Sequence, residues 1–162
     1  MSYDQYNQVI RKNLAPCDPR VLDAFCQDVI LRILPFVESV DKSSLWPRET
    51  ERIDLLANMV RSQCFDWQTA GRLLDELTAI SMEDDLHAMA MDGDLIQFLS
   101  ALDCWREVVA SGDQEAAAAV SEAIMNILDF YFVENTPLEK WLSVPQLQEE
   151  FEIQVNYLRG NA

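Results

Sequence analysis

The sequence predicts an all-α protein, a single-domain antiparallel bundle of about six or seven helices. Apolar residues recur at i, i+3, i+4 and i+7 along nearly the whole chain. Only four glycines interrupt it, at positions 71, 93, 112 and 160. No convincing strand pattern occurs, and the predicted loops are short, which favours antiparallel neighbours. At 162 residues without an internal repeat, the chain reads as one domain over 1–162. That length buries roughly 70% of the unfolded surface, enough for a core.

Each element has a start or a stop signal. Ser2 can cap a first helix with Tyr6, Val9 and Ile10 on one side. Asp18-Pro19 pairs a capping carboxylate with a first-turn proline, opening a helix with Leu22, Phe25, Cys26, Val29, Ile30, Ile33 and Leu34 as its inner stripe. Pro35 is expected to kink or end that helix, since proline lacks the amide donor. A polar loop at 41–44 leads to Trp46-Pro47 and a third helix turning Ile53, Leu56, Met59 and Val60 inward. Asp66 caps a fourth, with Trp67, Ala70, Leu73, Leu74, Leu77 and Ile80 inside. Residues 83–94 read as one or two helical turns broken near Gly93. From Asp94 the stripe Leu95, Phe98, Leu99, Leu102, Trp105, Val108 and Val109 runs to a stop at Gly112. Asp113 begins a long alanine-rich helix, Thr136-Pro137 a short piece, and Pro145 the last helix, for which Gly160 is the expected stop.

Charge is the unusual feature. The chain holds 12 basic and 28 acidic residues, a net charge of −16. Such a surface disfavours a phosphate backbone, which demands clustered Lys and Arg, and equally an anionic membrane. No stretch approaches the ~20 apolar residues of a membrane span, and the first residues lack the basic and apolar regions of a secretory signal. Cysteines at 17, 26, 64 and 104 form no CxxC pair, so they read as reduced, mostly buried thiols of a cytoplasmic protein.

The charge is also uneven. Residues 1–81 carry 12 acidic and 9 basic side chains, a net of −3; residues 82–162 carry 16 acidic and 3 basic, a net of −13. Like charges concentrated in one half destabilise a compact state. They either form a solvated surface or offer a negative face to a basic protein, which speeds association and rejects acidic partners. The densest stretch gives the candidate partner-binding residues Glu83, Asp84, Asp85, Asp92 and Asp94, joined by Asp103 and Glu107 at i, i+4 on the following helix. Glu149, Glu150 and Glu152 instead suit the first turn of the last helix, where carboxylates meet the helix dipole.

Catalytic chemistry finds little support. His87 is the one imidazole; Glu83 and Asp84 stand i, i+4 and i, i+3 from it and could share a weak metal site. A di-iron bundle needs two Glu-x-x-His motifs, and Asp92-Gly-Asp94 is not followed by a calcium-loop ligand set. No nucleophile signature and no phosphate-cradling glycine loop occurs. The sequence therefore assigns no catalytic residue, no metal ligand and no cofactor. Trp67 and Trp105 fall on apolar stripes and read as core, whereas Trp46 and Trp141 read as half exposed.

The segments FLSALDCWREVVASGDQEAAAAVSEAIMNILDF at 98–130 and SVPQLQEEFEIQVNYL at 143–158 resemble the YjaG-like family of small helical bacterial proteins of unknown function. The shared features are the Ser111-Gly112-Asp113 turn, the alanine-rich helix with Val120-Ser121, and a proline-led last helix with Glu150-Phe151 and Gln154. DAFCQDVILRILP at 23–35 is compatible with that family's first core helix, and the likeness spans about two thirds of the chain, leaving the middle unmatched. The resemblance implies an all-α bundle and no mechanism. Compact acidic helical domains also occur among bacterial immunity proteins that neutralise toxins, an analogy of fold alone. The expectation is a non-enzymatic domain that occludes the Lys/Arg surface of a basic, nuclease-like toxin. The alternatives are a small metal-dependent or accessory enzyme at a carboxylate/His87 site and a self-associating structural protein.

Overall fold

A computed structural model of the chain describes residues 1–161. Eight α-helices follow one another: α1 (Tyr3–Leu14), α2 (Pro19–Glu38), α3 (Pro47–Ser62), α4 (Trp67–Ser81), α5 (Asp85–Met89), α6 (Gly93–Ser111), α7 (Gln114–Phe132) and α8 (Pro145–Asn161). A 3₁₀ segment, Leu138–Ser143, precedes α8, and no strand occurs among the described residues. None of these helices is long and apolar enough to cross a membrane.

The ends are set locally. Ser2 accepts from the Gln5 amide while the Gln5 side chain accepts from the Ser2 amide, a reciprocal box that satisfies two orphan donors. Asp18, Asp66, Asp84, Asp92 and Asp113 each accept first-turn amides in the same way. Five of the 28 acidic residues thus start helices. Gly112 ends α6 at φ +67°, a left-handed conformation that a Cβ penalises.

Two boundaries differ from the sequence expectation. Helix α2 runs through Pro35 to Glu38. The proline sits on an exposed side of the helix, where water can replace the one hydrogen bond its ring removes, while Val37 beyond it is fully buried and holds the last turn in place. Gly160 does not stop α8, which continues to Asn161.

Helix α2 is the central element, packing on α3, α6, α7 and α8, and the α6–α7 pair is the most extensive contact in the molecule. Phe25, Val29, Ile30 and Ile33 of α2 meet Phe98 and Leu102 of α6 and Val120, Ile124 and Ile127 of α7 in one continuous core. The buried run Ala116–Ala118 keeps the start of α7 thin. Helices α3, α4 and α5 attach at one side: α4 meets α6 far less extensively than α7 does.

The aromatic and thiol expectations are partly corrected. Trp141 is buried because the 3₁₀ segment folds back over α1, where the Leu142 amide donates to the Met1 carbonyl at 3.0 Å. Its ring lies edge-on to Tyr3, and its indole N–H donates to Asp129 at 2.6 Å. Trp67 is only half-buried, in an aromatic cluster with Phe65 and the buried Trp105. Trp46 is half-buried, as expected. Cys17 and Cys26 are buried, Cys104 is half-buried and Cys64 is exposed; all four are free.

Candidate functional site

The acidic stretch folds into α5 and its flanking turns, beside the weakly attached edge of α4. Between the C-terminal half of α4, α5 and the N-terminal half of α6 lies a half-open cavity of about 200 Å³. Leu74, Leu77 and Thr78 form one wall, Ile96, Leu99 and Asp103 the other, and Ala88 and Met91 the end. Outside it, Met82, Leu86 and Met89 are 78 %, 79 % and 80 % exposed, and Ile96 is half in solvent. Exposed apolar side chains grouped within one short segment are candidates for an interaction surface.

Helix α5 is short; Ala88 faces the cavity, and His87 makes its side-chain hydrogen bond to a neighbouring helix. His87 crosses to α3, where its Nε2 stands 2.5 Å from Oε1 of Glu49, and its ring stacks on Trp46 with centroids 3.8 Å apart and planes 5° from parallel. Arg48 covers the same indole, its guanidinium carbon 4.8 Å from the ring centroid. Glu49 is itself buried and accepts from the Trp46 amide at 2.9 Å, so one carboxylate both caps α3 and anchors α5. The carboxylates that share a sequence neighbourhood with His87 point elsewhere. Glu83 pairs with Arg48, and Asp84 accepts the backbone amides of Leu86 and His87. The spacing that suggested a Glu83/Asp84/His87 metal site therefore does not bring those groups together, and no cluster of three or more metal-ligating side chains occurs among the described residues.

The seven partner-binding candidates divide accordingly. Asp84, Asp85, Asp92, Asp103 and Glu107 are exposed and make no ion pair among the described residues. Glu83 is exposed and already paired. Asp94 is a correction: it is 4 % exposed and accepts the Tyr131 hydroxyl at 2.5 Å, so it faces α7 and not solvent. As a first-turn residue of α6 it points inward beside Leu95, and its burial pushes the carboxyl up while the Tyr131 hydrogen bond holds it back. The same contact pushes the Tyr131 phenol up to about 12. Desolvation against the cavity wall raises the Asp103 carboxyl; Arg106 opposes this, and Asp75 and Glu107 add to it. In the first half, four acidic residues are matched by its own cations: Asp28 by Arg32, Glu38 by Arg61, Asp54 by Lys42 and Glu76 by Arg52.

A second polar cluster lies at the opposite side and was not legible as such. Glu150 is buried and takes two hydrogen bonds of 2.9 Å from Arg32, and its Oε1 also accepts from Gln154 at 2.9 Å. The Gln154 carbonyl receives the Ser121 hydroxyl at 2.6 Å and the Tyr6 hydroxyl at 3.2 Å. Three residues that carried the family resemblance, Ser121, Glu150 and Gln154, thus meet in one buried network that ties α1, α2, α7 and α8 together. Every member has a partner, and no buried side-chain polar atom is left unsatisfied among the described residues. Glu150 therefore belongs to the interior and not to an acidic first-turn surface.

The surface apolar residues Met82, Leu86 and Met89 were also missed. The available signal was the pair Leu86 and Met89 at i, i+3 on a turn whose other side carries His87. No known protein family, no curated protein and no solved structure matches this chain.

Proposed function

We propose that this chain is a non-enzymatic protein-binding domain that takes a basic partner protein, and that it neutralises that partner as an immunity protein neutralises a nuclease-like toxin. The observation that carries the reading is the unmatched negative charge. Four carboxylates of the first half, Asp28, Glu38, Asp54 and Glu76, pair with its own Arg and Lys, whereas Asp84, Asp85, Asp92, Asp103 and Glu107 are exposed and make no ion pair among the described residues. Five like charges over two helices repel one another and contribute nothing to folding beyond the caps at 84 and 92. A basic partner relieves that repulsion, and its own Lys/Arg surface is covered in the process.

Capture of partners from a lysate of the source cells tests it, with wild type beside the triple variant Asp85→Lys, Asp103→Lys, Glu107→Lys. That variant leaves every helix cap intact, and circular dichroism checks its fold. The expected result is a basic protein retained by wild type, lost by the variant and released as ionic strength rises past about 0.15 M. Equal retention by both forms, or retention insensitive to salt, overturns the reading.

A further inference from the structure

We propose that the cavity between α4, α5 and α6 is an anchor site for an amphipathic helix of the basic partner, which lays an apolar side chain between Leu77 and Leu99 and its Lys/Arg flanks against Asp103, Glu107 and Asp85. This deepens the reading above and rests on it. Size decides the kind of occupant. At about 200 Å³ the cavity is smaller than the ~300–1,000 Å³ typical of cofactor and small-molecule sites, and it suits one large side chain. Its walls are mostly leucine, isoleucine and methionine, with Thr78, Ser81 and Asp103 as polar lining, and Met82, Leu86 and Met89 stand exposed on α5 and the turn before it. Unbranched, polarisable methionines adapt to a helix face laid over them.

Charge decides the sign of the occupant. Asp103 is part of the cavity wall, Glu107 follows it one turn along α6, and Asp85 opens α5 at the other end. A helix with apolar residues at i, i+3 and i+7 and cations between them meets the wall and its acidic rim together. The larger groove between α2, α7 and α8, about 450 Å³, carries less of this charge. Its half-buried Arg32 and buried Glu150 satisfy each other, which leaves Glu149 as its one unpaired carboxylate among the described residues.

The test uses the full chain and a fluorescein-labelled 14-residue peptide of leucine and lysine, with the leucines at helical i, i+3, i+4, i+7 spacing. A second peptide has the same composition in an order without an apolar face. The amphipathic peptide is expected to bind about tenfold more tightly than the other. It is expected to shift the methyl resonances of Met91 and Ile96 and to leave those of the core residue Met125 unchanged. The exposed-site variant Ile96→Ser, with Met89→Ser, is expected to remove that preference while leaving the weaker charge-driven binding. Equal affinity for both peptides, still suppressed by salt and by the lysine triple variant, overturns the anchor site and leaves the acidic-face reading standing. Binding of neither peptide at low salt overturns both. Shifts confined to Ile153 and Leu128 overturn the anchor site by moving it to the α2–α7–α8 groove.

Discussion

His87 and Glu49 lie 38 residues apart and meet in a part-buried hydrogen bond that fastens α5 to the start of α3. The pair explains how a five-residue helix with no buried residue of its own keeps its place. A helix of one turn has no independent stability, so its position depends on that imidazole and on the indole beneath it.

His87→Ala is therefore expected to release α5 and to leave Glu49 short of a partner inside the protein. The cost is about 1–3 kcal/mol, the range for a buried polar group deprived of one hydrogen bond. Hydrogen exchange should speed up selectively over residues 85–91 while α2, α6 and α7 keep their protection. Unchanged exchange in that segment would show that α5 is held by something else.

The Arg32–Glu150 pair gives an asymmetric expectation. Arg32→Ala strands the Glu150 carboxylate in the interior with only Gln154 as donor, and should cost about 3 kcal/mol in urea unfolding. Glu150→Gln keeps an acceptor for Arg32 and is expected to cost less than half as much. Arg32 retains a quarter of its side-chain exposure and can turn toward water, which the carboxylate cannot. Equal costs for the two variants would contradict this account.

Two glycines should respond with opposite signs. A Cβ at Gly71, inside α4, would stand 3.0 Å from the Arg106 guanidinium, whose long side chain can move away. The Arg106–Asp75 pair thereby disturbed is exposed and worth little. Helix propensity then wins, and Gly71→Ala is expected to stabilise by about 0.5 kcal/mol. Gly112→Ala meets a positive φ and the Pro19 ring at 3.3 Å, and should destabilise by about 1 kcal/mol. Thermal unfolding of the two variants decides the pair.

Stability should pass through a maximum in mild acid. Burial raises the Asp94 carboxyl, and desolvation raises that of Asp103. A carboxyl that holds its proton more tightly folded than unfolded weakens the fold once pH climbs above its unfolded value near ~3.9, so acidification from neutrality strengthens it. Protonation also lowers the self-repulsion of a chain at −16. Asp75 and Glu76 act in the opposite sense: Arg106 and Arg52 hold their carboxyls down, so their stabilisation exists above the unfolded values and is lost as pH falls through the folded ones. The expected profile has a Tm that rises as pH falls from neutrality through the raised carboxyls and then drops once the Arg-paired carboxylates are protonated, with Asp94→Asn flattening the rising limb. A Tm that declines steadily from pH 7 downward would refute it.

The helices were legible because their signals are local. Ser2, Asp18, Asp66 and Asp113 cap amides two or three residues away, and Gly112 closes its helix through one dihedral angle. The apolar stripes of α2, α6 and α7 reappear in the core for the same reason: residues three and four apart share a face whatever that face meets. Pro35 shows the limit of local reading, since the packing of Val37 outweighs one lost hydrogen bond. Trp141 shows another, because its burial depends on where the chain returns against α1.

By itself the sequence determined the fold class, most helix starts and the imbalance of charge between the two halves, all of which depend on composition or on residues within a turn of one another. Only the tertiary structure decided that Asp94 turns inward to Tyr131, that His87 answers to Glu49 and not to Glu83 or Asp84, and that an apolar cavity opens beside Asp103. Those outcomes depend on which helices come together, and contacts across 37 or 38 residues leave no periodicity in the chain from which spacing could reveal them.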